Sequence, residues 1–254
     1  MVLAEQRRRE IVQLARGNSF LSIASLSSRF GVSEMTIRRD LDWLSRTGRL
    51  HRVRGGAVIS DDQLAEPAYS EKQRQSVDRK SAIARRAAEL IRPDDALLLT
   101  TGTTIRLIAE RMKNLQGITV VTNGIDIASE LAPCTGIRTI ILGGDVRRSY
   151  AVVGLAAERD LDAVHYVDKL FMGVDGISSS HGLTTHHPME ARLYHQMMKK
   201  ANQVIVVADS SKVGKSTFSF INDVGEADLL ITNADADASE CERLRSLGLE
   251  IDSV

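Results

Sequence analysis

The sequence predicts an α/β chain in two parts, an N-terminal winged helix-turn-helix followed by a doubly wound, mostly parallel sheet. Three observations carry that expectation. Two short helical periods meet at the tight turn "FGVSE" (30–34), and a basic alternation ending in Gly55-Gly56 follows them. From residue 96 onward, short apolar runs alternate with helical stretches. Polar loops close each of those runs.

At 254 residues, 43% hydrophobic and 26% charged, the chain has the composition of a soluble globular protein able to bury a sizeable core. It contains no apolar run long enough to span a membrane. The opening "MVLAEQRRRE" lacks the apolar centre of a secretory signal, so export is not expected. Cys134 and Cys241 have neither metal nor redox spacing and read as reduced thiols in a cytosol. Overall neutrality hides a division. Residues 1–58 hold 11 Lys and Arg against 5 Asp and Glu, a net of +6, and the rest of the chain carries −6. A basic head on an acidic body suggests two surfaces with different partners.

In the head, residues 4–16 space Ile11 and Leu14 as an amphipathic helix does, with Arg7–Arg9 among them. Ser22 is placed to cap a second helix whose Ile23, Leu26 and Phe30 share a face, and Gly31 ends it. Ser33 caps a third, on which Ile37, Leu41 and Leu44 fall within roughly 60° of one another and face the core. Met35, Thr36, Arg39 and Arg46 then point to the opposite side, with Arg38 on the flank. Such a helix, entered from its positive N-terminal end, suits a major groove and its phosphates. An arginine fork can span guanine O6 and N7 or grip a phosphate, and the sequence leaves both open. Asp40 would repel phosphate, so it reads as a residue that orients an arginine. "GRLHRVRGGAV" (48–58) then forms a short basic hairpin, a wing able to lie along a phosphate backbone. The candidate DNA contacts are Ser33, Met35, Thr36, Arg38, Arg39 and Arg46 on the helix, with Arg49, His51, Arg52, Arg54 and Gly55 in the wing.

"SEMTIRRDLDWLSRTGRLHRVRGGAV" resembles the N-terminal signature of the DeoR family of bacterial repressors, an S-x-x-T-I-R-R-D-L helix followed by a glycine-ended wing. The resemblance covers residues 5–58. It implies a winged helix-turn-helix that binds double-stranded operator DNA as a dimer or higher oligomer.

Residues 59–75 lose apolar periodicity, contain Pro67 and read as a linker, with the next helix beginning near Ser76. The 76–254 domain follows. Its apolar runs are 96–100, 118–122, 137–142, 168–174 and 203–208, with helical stretches at 103–113, 125–132, 155–163 and 188–201. In such sheets a ligand sits beyond the carboxyl ends of the strands. There "TTGTT" (100–104) offers Thr101, Gly102, Thr103 and Thr104 to a phosphate, although an ordinary capped turn reads the same way. The other strand ends carry Asn123, then Gly143-Gly144, then Asp175-Gly176, then "DSSK" with its cation Lys212. Asp175 and Glu190 are candidate acceptors for sugar hydroxyls. A phosphorylated small ligand fits this set.

The body is similar to the sensor domain of DeoR repressors, whose fold is that of ribose-5-phosphate isomerase. "TTGTT" resembles the isomerase T-G-S-T phosphate loop, and "ADSSK" (208–212) its A-D-x-S-K segment. "MGVDGI" (172–177) resembles D-G-A-D-E with departures: Met172 replaces the first aspartate, Asp175 keeps the second, and Gly176 replaces the glutamate. "SSHGL" (179–183) matches K-G-G-G without its lysine, and Glu190 corresponds to the general base. Isomerisation needs a base and an electrophile for the enediolate. A pocket that keeps its phosphate anchors and loses catalytic charge implies a sensor without turnover; the rival is an isomerase-like enzyme with a DNA-binding appendage.

His181, His186, His187 and His195 lack zincin spacing, so no metal is expected, and His186 or His187 is a candidate to line the pocket. "VGKST" (213–217) lacks the leading glycine of a P-loop. Arg147-Arg148 could meet ligand, partner subunit or water. The expectation is therefore a cytoplasmic, homo-oligomeric repressor of carbohydrate catabolic genes, needing no cofactor and released from operator DNA by a phosphorylated sugar.

Overall fold

The computed structural model describes residues 4–16, 21–46, 50–53, 56–59 and 68–254. The chain divides into two compact units, Met1–Glu66 and Pro67–Val254.

The first unit contains helices α1 (Ala4–Arg16), α2 (Ile23–Phe30) and α3 (Glu34–Arg46), with strands β1 (Leu21–Ser22), β2 (Leu50–Val53) and β3 (Gly56–Ile59). The strands form an antiparallel sheet in the order β1-β3-β2. Ser22 caps α2 by accepting from the Ser25 N–H at 3.0 Å, and Gly31 ends the helix in the left-handed conformation (φ 61°) that glycine adopts without penalty. Ile11, Leu21, Ile23, Leu26, Ile37, Leu41 and Leu44 make one small core. Asp40 is buried in this unit and accepts from Arg7 Nε at 2.6 Å and Arg8 Nε at 2.7 Å. A carboxylate out of water needs such partners, so this pairing clamps α1 onto α3.

The second unit is built on seven parallel strands: β4 (Ala96–Leu99), β5 (Ile118–Thr122), β6 (Ile137–Ile141), β9 (Val167–Gly173), β12 (Ala201–Val207), β14 (Leu229–Thr232) and β15 (Glu250–Ser253). Their order is β15-β14-β12-β9-β4-β5-β6. Both faces are covered. Leu97, Leu99, Phe171, Ile205 and Val207 meet α5 (Val77–Ala88), α6 (Thr103–Met112) and α7 (Ile125–Leu131). The alternate residues Leu98, Leu170, Met172 and Val206 meet α8 (Leu155–Asp162), α9 (Pro188–Met198) and α10 (Ala238–Ser246). Burial on both sides is why these strands read as continuous apolar runs. A small sheet of β10 (Gly176–Ser178), β11 (Gly182–Thr185) and β13 (Ser219–Asn222) and a ribbon of β7 (Asp145–Val146) and β8 (Val152–Val153) lie beyond the main sheet.

The sequence reading differs from the structure in two places. The expected linker 59–75 is interrupted at both ends, since Ile59 pairs with Leu50 inside β3 and Tyr69–Arg74 form helix α4. None of the α4 side chains is buried; polar contacts hold it, and hydrophobic periodicity could not reveal it. Strands β14 and β15 with α10 extend the sheet beyond the five runs read from sequence.

Strand order reverses between β4 and β9, which places the loop 100–102 and the loop 174–175 side by side at the sheet's switch point. Gly173 N–H donates to Thr100 Oγ1 at 3.0 Å across that junction. Open sheets bind ligands at this place for a geometric reason: adjacent loops diverge there and leave a crevice.

Candidate functional site

In the first unit, α3 buries Ile37, Leu41 and Leu44 completely and turns Met35, Arg38 and Arg39 outward. Ser33 acts as the cap, accepting from Thr36 N–H at 3.3 Å with its hydroxyl 3.0 Å from the Thr36 hydroxyl. Arg38 pairs with Glu34 one turn earlier at 3.1 Å, both half exposed, an arrangement that a phosphate can displace at small cost. Arg8 lies over the Trp43 ring, 4.6 Å from its centroid. Arg7 and Arg8 are therefore structural, as Asp40's partners. Arg46 stands at the end of α3 and His51 and Arg52 on β2. Arg49, Arg54 and Gly55 lie outside the described residues.

In the second unit, one hydrogen-bonded network joins the switch-point loops. Thr101 Oγ1 donates to the Ser149 carbonyl at 3.3 Å, and Ser149 Oγ donates to Glu190 Oε1 at 2.8 Å. Arg147 also pairs with Glu190, which is 3% exposed. Thr185 Oγ1 lies 3.4 Å from Glu190 Oε2 and 3.0 Å from Asp175 Oδ2. Asp175 then faces Lys72 Nζ at 2.8 Å, with Lys212 Nζ and His186 Nε2 each at 3.9 Å. Burial alone would raise the pKa of this carboxyl, but Lys72, His186 and Lys212 outweigh burial and hold it down at about 2. Behind it, Lys80 is buried and donates to the Lys72 carbonyl. Burial pushes the Lys80 pKa down; Asp209 opposes that, and Lys212 and Lys72 reinforce it. Beside this cluster, Gly102 opens α6 at φ 144°, a backbone region in which other residues are strained, and no side chain caps the first-turn N–H groups of Thr103 and Thr104.

Thr101, Asp175, Glu190 and Lys212 are thus brought together, with Gly102, Thr103 and Thr104 following Thr101 directly. Four other expected pocket residues have close contacts of their own within the protein. Asn123 is fully buried and spends both ends of its amide, accepting from Thr101 N–H at 3.1 Å and donating to the Val152 carbonyl at 3.1 Å. Gly143 N–H donates to Asp160 at 2.7 Å, and at Gly144 an added Cβ would strike the Val153 carbonyl. Gly176 sits in β10 where an added Cβ would strike the Lys215 carbonyl and Thr184. The histidines have different contacts: His181 meets Ser180, His187 caps α9, His195 meets the Ile221 carbonyl, and His186 joins the network.

Comparison with known proteins agrees with this division. Residues 7–63 match the DeoR-like helix-turn-helix domain, and residues 75–234 match the DeoR C-terminal sensor domain. The chain belongs to the DeoR family of DNA-binding transcriptional regulators. It is 36% identical to a putative aga operon transcriptional repressor of Escherichia coli O157:H7, covering 97% of this chain and 92% of that one. It is 35% identical to the regulator GlpR of Haloferax volcanii, covering 98% of each. It is 32% identical to the repressor GlcR of Bacillus subtilis, covering 97% and 95%. Among solved structures, ribose 5-phosphate isomerase A of Methanocaldococcus jannaschii aligns over 54% of this chain and 55% of its own at 19% identity and a TM-score of 0.39.

The pocket of this DeoR-family chain is suited to holding an anion rather than turning it over. Lys72 and Lys212 both pair with Asp175, and Lys80 lies close enough to Asp209, Lys212 and Lys72 to feel all three, so three ammonium groups gather at this one place. Asp175 stays ionised and can only accept hydrogen bonds, and Glu190 is engaged by Arg147, Ser149 and Thr185. Met172, at the position of the isomerase aspartate, points into the apolar core. Sequence reasoning missed Lys72, Lys80, Tyr69 and Tyr150. Lys80 had a legible signal, because it occupies the same helical stripe as Ile83, Ala84 and Ala87.

Proposed function

We propose that this regulator represses carbohydrate catabolic genes, holds operator DNA through its N-terminal unit, and leaves it when a phosphorylated sugar enters the sensor domain. The carrying observation is the cation cluster of Lys72, Lys80 and Lys212 around Asp175, beside the uncapped start of α6. In this reading the phosphate sits against Gly102, Thr103 and Thr104 and draws on Lys212, because helix N–H groups and a nearby ammonium both favour a dianion. Thr101 and Asp175 meet sugar hydroxyls, with Glu190 behind them. Ser33, Met35, Thr36, Arg38, Arg39 and Arg46 face the DNA, with Arg49, His51, Arg52, Arg54 and Gly55 along its backbone. The relatives named as an aga operon repressor, GlpR and GlcR support the carbohydrate assignment. The working form is a cytoplasmic dimer or tetramer, since paired half-sites need paired reading helices.

Fluorescence anisotropy on an operator fragment, titrated with a panel of pentose and hexose phosphates, tests this reading. At least one phosphorylated sugar should release the DNA and raise the melting temperature of the protein. If none of the panel alters either quantity, the sensor assignment fails.

A further inference from the structure

We propose that Lys72, on α4, is a ligand-contacting residue of the sensor pocket, and that its transfer from Asp175 to the anionic group of the ligand reports occupancy to the DNA-binding unit. This rests on the sensor reading above and names the regulation of that same site.

The argument starts from how α4 is held. It is a helix of six residues with none buried, and so short a polar helix has no stability of its own. Polar attachments help to set its position. Lys72 Nζ reaches Asp175 Oδ1 at 2.8 Å, Lys80 donates to the Lys72 carbonyl, and the Tyr69 hydroxyl donates to Asp126 while its ring meets Tyr150 edge-on at 4.9 Å. The Lys72 side chain makes the first of these and its backbone carbonyl the second.

Asp175 is a shared carboxylate. Lys72 is its nearest cation, with Lys212 and His186 next at 3.9 Å. A phosphate entering the pocket carries more charge than a carboxylate and is the stronger partner for an ammonium. Asp175 can afterwards keep Lys212 and His186, so losing Lys72 does not strand it. Lys72 is thus the mobile member of the cluster. Lys80, buried beneath α4, is not.

The second consequence is one of chain order. α4 is the first helix after β3, so in chain order it is the element of the sensor unit next to the DNA-binding unit. A ligand shifts DNA affinity only by favouring one state over another. Here the ligand-free state has Lys72 on Asp175, and the occupied state has it on the ligand.

The test uses the full chain, an operator fragment and no ligand in its first arm. Lys72→Met and Asp175→Asn should each mimic occupancy and weaken operator binding by about tenfold or more, inside the ~5–150-fold range of allosteric couplings. The double variant should be no weaker than either single one, because both remove the same contact. Lys72→Arg, which keeps the charge, should stay within about threefold of the parent. In the second arm, glucose 6-phosphate, fructose 6-phosphate and inorganic phosphate should stabilise Lys72→Met only at about tenfold higher concentration than the parent, a loss equal to one charge-assisted contact. Operator affinities of Lys72→Met and Asp175→Asn within about twofold of the parent, in proteins that are folded at the assay temperature, would overturn the inference. If Lys72→Met does not fold, Lys72→Gln takes its place in both arms under the same criteria. The first arm reads without any effector, so a failure there overturns the Lys72–Asp175 switch whatever the second arm shows, whereas a parent that responds to no phosphorylated sugar counts against the sensor reading.

Discussion

Asp40→Asn is the most searching test of the DNA-binding unit. Asp40 is 2% exposed and accepts two charge-assisted bonds, from Arg7 at 2.6 Å and Arg8 at 2.7 Å. Arg7 is 7% exposed at the side chain and Arg8 25%, so the substitution takes the Asp40 charge away from a nearly buried guanidinium. Removing one partner of a buried pair costs about 3–5 kcal/mol, and the partial exposure of Arg8 places this case near the lower end, at about 3 kcal/mol. That corresponds to about a hundredfold change in the folded-to-unfolded ratio. For a unit this small, a urea slope of about 1 kcal/mol/M turns it into a midpoint shift of about 3 M. The chain's single tryptophan, Trp43, lies under Arg8 on α3 and reports the transition by its fluorescence. The double variant Arg7→Met/Asp40→Leu should recover most of the loss, because it removes both charges rather than one. A midpoint for Asp40→Asn within about 0.5 M of the parent would show that the clamp contributes little and refute the reasoning.

Arg39→Ala removes an exposed guanidinium from the free face of α3 and should weaken operator binding by about 1–3 kcal/mol, with a lower salt slope if the contact is to phosphate, both read by anisotropy across a salt series. Gly102→Ala has space for its methyl, the nearest atom being Ile105 Cγ1 at 3.9 Å, so its cost is the strain of φ 144°, about 1–3 kcal/mol. It should also abolish stabilisation by phosphorylated sugars in a thermal melt. Asp175 ionises at about 2 in the folded state, below its unfolded value, so it contributes stability above about pH 4 that is lost as pH falls toward 2. Urea melts of the parent should lose roughly 2 kcal/mol more than Asp175→Asn across that window, and equal slopes for the two proteins would remove Asp175 as the cause.

Element identity and the DNA-facing helix are legible without coordinates. Leu97, Leu98 and Leu99 announce a strand buried on both faces, and Ile37, Leu41 and Leu44 place Arg39 on the open side of α3. Ser22, Gly31 and Ser33 mark helix ends by chemistry that acts over three or four residues. The pocket was legible only in outline. "TTGTT", Asp175 and Lys212 were visible because small, polar and charged residues gathered at strand ends. Asn123 and the glycine pair 143–144 carried the same local signal, and only packing shows that Asn123 bonds Thr101 and Val152, that Gly143 N–H bonds Asp160, and that Gly144 has no room for a side chain beside the Val153 carbonyl.

What the amino-acid order determined alone was therefore everything that depends on near neighbours: the alternation of strands and helices, the caps, the basic face of α3 and the membership of the DeoR family. Tertiary structure decided who pairs with whom. Lys72 is 103 residues from Asp175, and Arg7 is 33 from Asp40. Charges and hydrogen bonds act through about 3 Å of space whatever the length of chain between them, so no local pattern could assign those partners.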